Sequence, residues 1–388
     1  MDKDTDILLS NDSIETKSKK KSLIYIILII ILSILCITFI ALYATEKNKD
    51  PEEKGQDQDQ DTYIPLKLWH ESTSKTEIMN FVEKIKSKEN FVPIEDRIAV
   101  FDLDGTLFQE TDPYYNDMKL YCYRAVNDTN YHPSEEIAEL GKKLLEAANN
   151  GTLPDDETDQ RIGETYGEIF KDLTLEEYYK YIKDFLNKSA DGYENLKRGD
   201  AFYKPMLEVI EYLQKNDFNV YVVSGTDRYQ VRTVIDGHIN IPKSNVIGSD
   251  YRIKATNQGN TKGNLYEYDY LRDKFNFDGE FLGKNLKTNK IIGIIKEIGK
   301  QPILSFGNSG GDSCMANYTI NNNKYPSKAF MLLCDDTEKE NGNKEKASRM
   351  KKFCEVNGWI PISMEKDWKT IYGDNVKRKK GEQIYNSF

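Results

Sequence analysis

Two carboxylates, Asp102 and Asp104, follow directly on the apolar run Ile98-Ala99-Val100-Phe101 and lead into Gly105-Thr106. An apolar run without alternation reads as a strand buried on both faces. Unpaired carboxylates at the end of such a strand are costly to desolvate, so their charge must be in use. The use that fits is phosphate chemistry. Asp102 could attack phosphorus and form an aspartyl phosphate. Asp104 has the reach to protonate a leaving alkoxide and then to activate water. A carboxylate and a phosphate dianion repel each other, so a divalent cation is expected between them, and Mg2+ suits oxygen donors. The candidate ligands are the Asp102 carboxylate, the Asp104 backbone carbonyl and Asp312, supported by Asn308.

Two further clusters complete that chemistry. Ser224 ends the apolar run Val220–Val223, and Gly225 and Thr226 after it offer backbone N–H groups. A hydroxyl and an amide nest of this kind can hold phosphate oxygens, although Ser-Gly-Thr alone also reads as a plain turn. Lys290 opens the helical pattern Ile291–Ile298, where its charge could neutralise both nucleophile and phosphoryl group. Lys284 and Lys287 are the fallback candidates, and a solvated surface lysine is the alternative reading.

These residues must be positioned by an alternating chain. Ser74 with Glu77 resembles a capping box for a lead-in helix reaching about Lys88. Strands are expected at Ile98–Phe101, Val220–Val223, Asn245–Gly248, Ile303–Phe306, Ala329–Cys334 and Trp359–Ser363. Helices are expected at Pro205–Lys215, Tyr229–Asp236, Ile291–Ile298 and Glu338–Asn357. Strand–helix repeats imply an α/β fold with a parallel sheet covered on both faces. Ligands bind such sheets beyond the carboxyl ends of the strands, where Asp102/Asp104, Ser224-Gly225-Thr226 and Asn308/Asp312 all lie. Residues 111–197 carry helical periodicities and dense tyrosine, and read as a helical cap inserted after the first strand.

The N-terminal part is of another kind. Residues 23–44 hold no charge in 22 positions, and about 20 suffice to cross a bilayer as a helix. Lys17, Lys19, Lys20 and Lys21 precede this run, so the expected arrangement is a cytoplasmic tail over 1–22 and a transmembrane helix over 23–44. A flexible linker over 45–62 would then lead to an extracytoplasmic domain at the cell membrane. Leu42-Tyr43-Ala44 also passes as a poor cleavage site that would release the domain. The core would comprise 63–110 and 198–376, with a basic, solvated tail over 377–388. A net charge of −10 with no basic stripe argues against nucleic acid as a partner. The cysteines Cys36, Cys122, Cys314, Cys334 and Cys354 show no zinc-type spacing, and both disulfides and free buried thiols remain open for the last four.

Taken together, the motifs resemble those of the haloacid dehalogenase superfamily of phosphohydrolases. Asp102-Leu103-Asp104-Gly105-Thr106 resembles its first motif, Val222-Val223-Ser224-Gly225 its second, Lys290 its third, and Gly307-Asn308-Ser309-Gly310-Gly311-Asp312 its acidic fourth. Tyr203–Glu208, Phe306–Ser309, Asp335–Glu338 and Asp367–Tyr372 are similar to a bacterial branch near phosphoserine and phosphorylcholine phosphatases. The resemblance implies a three-layer Rossmann-like core, a helical cap, Mg2+ and hydrolysis of a small phosphomonoester. Two positions depart from the pattern. Asn308 stands where the fourth motif often has Asp, which keeps an oxygen donor but removes a charge. Thr226-Asp227-Arg228 replaces a glycine-rich turn, and Asp227 and Arg228 could pair with each other or touch substrate.

Within this chemistry an acceptor alcohol could replace water, giving a phosphotransferase. A catalytically weak phosphate-binding surface protein is the alternative outside enzymes, and Asn308 is its sequence support. The substrate is the cap's to decide. Its tyrosines, 114, 115, 121, 123, 166, 178, 179 and 181, could form an aromatic cage for a quaternary ammonium or simply a packed core. Asp112, Asp117 and Arg124 are candidate substrate contacts.

Overall fold

A computed structural model describes residues 31–33, 35–38, 63–110 and 115–379. The first two stretches are helical, with Ile31, Leu32, Leu35 and Ile37 exposed. Most of the predicted span over 23–44 lies outside the described residues, as do the tail 1–22 and the linker 45–62. Among the described residues no helix is long and apolar enough to cross a membrane. Asp112 and Tyr114 also fall outside them.

Residues from Ile64 onward form a separate compact unit. Its strands are β1 (Ile98–Phe101), β2 (Tyr193–Glu194), β3 (Asn219–Asp227), β4 (Val246–Ala255), β5 (Phe275–Gly283), β6 (Leu304–Gly307), β7 (Lys328–Leu333), β8 (Ile360–Ser363) and β9 (Lys377–Arg378). Seven of them make one sheet in the order β5-β4-β3-β1-β6-β7-β8. All its pairings are parallel except β4 with β5. The sheet is therefore mixed rather than all-parallel. Antiparallel β5 was not expected from its sequence, since Asp278, Gly279 and Glu280 break any apolar run there. β4 also runs seven residues beyond the predicted Gly248 in order to pair with it.

The chain leaves β1 toward β3 on one side and returns to β6 on the other, so β1 is the switch point of the sheet, where α/β folds open a crevice. Alternate residues of β1 feed different cores. Ala99 and Phe101 join the large cluster with Ile78, Phe81, Met206 and Val209. Ile98 and Val100 join Val223, Ile247, Ile294 and Met315. Helices α1 (Thr73–Lys86) and α6 (Lys204–Gln214) thus cover one face, and α8 (Thr288–Glu297) and α9 (Ser313–Ile320) the other. This is the expected three-layer arrangement. Stacked rings tie the central strands together, Phe101 on Phe306 at 4.3 Å and Phe306 on Phe330 at 5.0 Å.

Between β1 and β2 lie four helices, α2 (Asn116–Cys122), α3 (Glu135–Asn149), α4 (Asp156–Ile169) and α5 (Leu175–Leu186), as the tyrosine-rich pattern predicted. Each of α3, α4 and α5 starts on a capping side chain, Ser134, Asp155 and Thr174, which accepts a first-turn N–H. After β3 comes α7 (Arg228–Val234), and α10 (Lys344–Asn357) and α11 (Met364–Asp367) close the chain.

Some local expectations give way to tertiary contacts. Ser72, not Ser74, caps α1, because the Ser74 hydroxyl donates to Asp367 Oδ2 at 2.7 Å. The helix expected from Glu338 begins at Lys344, where Asn343 caps it, because Asp336 accepts the N–H groups of 338 and 339 in a turn of its own. Lys377 and Arg378, expected in a solvated tail, pair as β9 with β2, and Arg378 donates to Thr337 O and Asn341. Among the described residues Cys36, Cys122, Cys314, Cys334 and Cys354 are free thiols.

Candidate active site

The carboxyl ends of β3, β1 and β6 are neighbours, and each delivers one of the predicted clusters. Lys290, from the first turn of α8, joins them. It is 1% exposed, and its Nζ donates to Asp102 Oδ1 at 2.5 Å, Asp312 Oδ1 at 2.7 Å and Val223 O at 2.7 Å. All three donor positions of the ammonium are therefore used. A buried lysine without partners would lose its proton; this one sits between two carboxylates. Burial works against its charge, but Asp102 and Asp312 outweigh burial and raise its pKa. Lys284 and Lys287 are not in this cluster. Lys284 approaches Asp117 at 3.9 Å, and Lys287 precedes α8 with φ +52°.

Asp102 and Asp104 behave differently. Burial and the neighbouring Asp312 push the Asp102 carboxyl up to about 7, against the pull of Lys290. A cation at the site would bring it down again and favour the carboxylate that a nucleophile requires. Asp104 is pushed well above the usual range by burial and by Asp117, Asp102 and Glu110, with a hydrogen bond from Thr226 opposing. This shift favours the protonated form, the form in which a general acid acts. Asp104 Oδ2 accepts from Thr226 Oγ1 at 2.8 Å, while its Oδ1 is buried with no hydrogen-bond partner among the described residues.

Asp312 shapes the fourth cluster. Its Oδ2 accepts from the backbone N–H groups of Asn308 and Ser309 and from the Ser309 hydroxyl, at 3.0–3.1 Å. With Oδ1 on Lys290, one lone pair of Oδ1 remains for a ligand, so Asp312 is more engaged in holding the turn than its sequence motif suggests. Asn308 lies over Gly105, which turns the chain out of β1 at φ +79°. A Cβ at Gly105 would stand 2.0 Å from Asn308 Nδ2. Gly105→Ala is therefore expected to cost about 1–3 kcal/mol in backbone strain alone and to push Asn308 out of the site. Urea unfolding measures the first effect and phosphate release the second.

The second cluster is built for an anion. Ser224 Oγ accepts the Thr226 N–H at 3.1 Å, which leaves its own proton free to donate. Asn285, for which the sequence carries no signal, holds this loop in place. Its Nδ2 donates to Ser224 O at 3.0 Å and its N–H to Ser249 Oγ, which in turn donates to Gly225 O at 2.6 Å.

The donor set available to a cation is all oxygen: the Asp102 carboxylate, the remaining lone pair of Asp312, the Asn308 amide oxygen and the Asp104 carbonyl. Among the described residues no group of three or more His, Cys, Asp or Glu side chains could by itself hold a metal. Mg2+ fits nonetheless, because it is normally held by one or two carboxylates, with water and substrate phosphate completing its shell.

A model of the haloacid dehalogenase-like hydrolase family matches residues 97–278, which carry the first two clusters. These residues are a haloacid dehalogenase-like hydrolase domain. The resemblance read from the motifs is borne out, and the chain is an enzyme of the hydrolase class. Haloacid dehalogenase-like hydrolases generally work as phosphatases with Mg2+ and an aspartyl-phosphate intermediate. No curated protein matches the chain. Solved structures that match the chain include a conserved protein of unknown function from Anaerococcus prevotii DSM 20548, 14% identical, TM-score 0.46, covering 83% of this chain and 100% of that one. Another is a protein of unknown function from Bordetella pertussis Tohama I, 13% identical, TM-score 0.43, covering 69% and 97%. A third is cytosolic 5′-nucleotidase IIIB bound to cytidine, 14% identical, TM-score 0.43, covering 75% and 84%.

Around the hydrolase site the remaining candidates find other work. Asp227 and Arg228 do not pair with each other. Asp227 caps α7 and accepts from Tyr178 OH at 3.2 Å, while Arg228 binds Asp250 and Glu297. Arg124 is no substrate contact. It is buried, bridges Asp128 and Asp172, and lies over the rings of Tyr131, Phe170 and Tyr181 at 4.4–5.3 Å. The tyrosine-rich helices thus form a packed core that encloses a guanidinium of the chain itself. Asp117 does lie close enough to raise the Asp104 carboxyl, and Tyr115 donates to Glu110 at 3.2 Å.

Proposed function

We propose that this chain hydrolyses a small phosphomonoester through an aspartyl phosphate on Asp102. The observation that carries the reading is the Lys290 ammonium, buried at the switch point between Asp102 and Asp312, with the protonatable Asp104 beside it. A buried charge network of this kind is costly to maintain for structure alone.

The residues divide the work as follows. Ser224 and the Gly225 N–H hold the phosphoryl oxygens, while Lys290, its three donors already on Asp102, Asp312 and Val223 O, contributes its positive charge rather than a hydrogen bond. An Asp102 oxygen attacks phosphorus while the ester P–O bond breaks, and Asp104 hands its proton to the departing oxygen. Asp104, now a carboxylate, takes a proton from water as that water attacks the aspartyl phosphate and frees Asp102. Bound Mg2+, held by Asp102, Asp312, Asn308 and the Asp104 carbonyl, would supply the positive charge that lets the dianion approach a carboxylate. The helices of residues 116–186 would serve as the cap that selects the ester.

Phosphate release from p-nitrophenyl phosphate by the full chain tests this. It is expected to fall at least tenfold on chelation with EDTA and to return with added Mg2+. Folded protein that releases no phosphate from any of a panel of phosphomonoesters with Mg2+ present would overturn the proposal.

A further inference from the structure

Asp227 is buried at the end of β3, on the strand that carries Ser224, and the mechanism above does not use it. Its Oδ2 accepts the Gln230 N–H at 2.8 Å, which fixes it to α7. Two tyrosines of the helical cap reach this point. Tyr178 of α5 donates its hydroxyl proton to Asp227 Oδ2 at 3.2 Å, and Tyr166 of α4 donates to Gln230 Oε1 at 2.5 Å. The two hydroxyls lie 3.0 Å apart. All four side chains are buried, at 0–3% exposure.

The same tyrosines lead on to α2. Tyr166 stacks on Tyr121 of α2 at 6.5 Å, and the Tyr121 hydroxyl lies 2.8 Å from Thr165 Oγ1. Tyr115, at the start of α2, donates to Glu110 at 3.2 Å, and Glu110 Cδ is 3.1 Å from where a Cβ on Gly105 would stand. A continuous set of contacts therefore runs from the strand of Ser224, through the cap, to the turn that follows Asp104. Its polar part is not the most stable way to join two elements. Asp227 Oδ1 and Gln230 Nε2 are buried with no partner among the described residues. A half-satisfied buried network is worse for stability than apolar packing. What it supplies is one fixed geometry.

We propose that Asp227 and Gln230 are positioning residues for substrate selection: through Tyr178 and Tyr166 they hold the cap in register with the phosphate-binding turn, so that the ester group meets the cap in a fixed place. The proposal rests on the phosphohydrolase reading. It separates two parts of the substrate. The phosphoryl oxygens depend on Ser224, Gly225 and Lys290, whereas the ester group depends on where the cap sits. A further contact offers an independent way to hold the cap. A Cβ on Gly279 of β5 would stand 3.9 Å from Glu168 Cβ of α4, within the span of a disulfide.

The test compares the wild type with Tyr166→Phe/Tyr178→Phe, which removes both hydroxyls and keeps the ring contacts with Phe170, Tyr251 and Phe277. For p-nitrophenyl phosphate, kcat/KM is expected to fall about tenfold, while the inhibition constant of inorganic phosphate stays within about twofold of wild type. Glu168→Cys/Gly279→Cys is then added to the double variant. Oxidation is expected to restore kcat/KM and reduction to lose it again, with the single-cysteine variants as controls for the oxidation. Circular dichroism and the unfolding midpoint check that each variant folds. If kcat/KM does not change, or if inhibition by phosphate weakens by the same factor, the proposal is wrong while the hydrolase reading stands. A disulfide confirmed by mass that leaves kcat/KM low also overturns it. If the double variant does not fold, Tyr178→Phe alone takes its place with the same expected results. If the disulfide does not form, the comparison of ester with phosphate decides. Absence of turnover by the wild type with every ester overturns the hydrolase reading, and this proposal with it.

Discussion

Asp102→Asn is expected to lower phosphate release by about 10^4-fold or more, the scale seen when a covalent nucleophile is removed. The amide keeps the shape of the side chain, and Lys290 retains Asp312 and Val223 O as partners. It cannot form the acyl phosphate, so no residual route runs through this position. The substitution also removes the repulsion between Asp102 and Asp312, which opposes ionisation in the native protein. The unfolding midpoint is therefore expected to change little. Phosphate release and urea unfolding on the same preparation separate the two effects. A folded variant retaining more than a few per cent of wild-type turnover would remove Asp102 from the role of nucleophile.

Lys290→Met should damage both activity and stability. The methionine is close in volume but donates nothing, leaving Asp102 and Asp312 facing each other in a site where they are 7% and 1% exposed. Removing one partner from a buried ionic arrangement typically costs roughly 3–5 kcal/mol, because the remaining charge has no compensation. The loss should be smaller in Mg2+ than in EDTA, since a divalent cation on the same carboxylates substitutes for part of the missing charge. Urea unfolding of wild type and variant in both buffers measures it. An equal loss in the two buffers would mean that the cation does not bind these carboxylates.

The sequence made the centre of this molecule legible because chemistry and burial coincide there. An apolar strand that ends on Asp-x-Asp-Gly-Thr has few uses; the structure places the two acids at the strand's carboxyl end, as expected, and that strand at the switch point, which the sequence did not predict. Ser224, Lys290, Asn308 and Asp312 were also readable, because each stands at the end of a strand or near the start of a helix whose periodicity is clear. Asn285 was not readable as part of the site, and Thr226 was readable only for its backbone N–H, not for its side-chain contact with Asp104. Their partners, Ser224 and Asp104, lie 61 and 122 residues away in sequence. Nothing local distinguishes an asparagine that braces a loop from one in a surface turn. Strand β5 was hidden for a related reason: it is an edge strand with exposed positions and two glycines at positive φ, so pairing rather than composition makes it a strand. The start of α10 and the pairing of Lys377 and Arg378 were likewise decided by tertiary partners, Asp336 and β2, rather than by propensity.

The guanidinium of Arg124, enclosed by Tyr131, Phe170 and Tyr181, also bears on descent. Tyrosine-rich helices offer rings that can recognise a cationic substrate. Here the rings are already committed. A lineage that freed them for an outside ligand would first have to give up Arg124, leaving Asp128, whose side chain is 8% exposed, with only the Tyr181 hydroxyl and the Asn130 N–H as partners. Each such step removes a buried ion pair before it adds a contact, so the aromatic box is committed to holding the helices together.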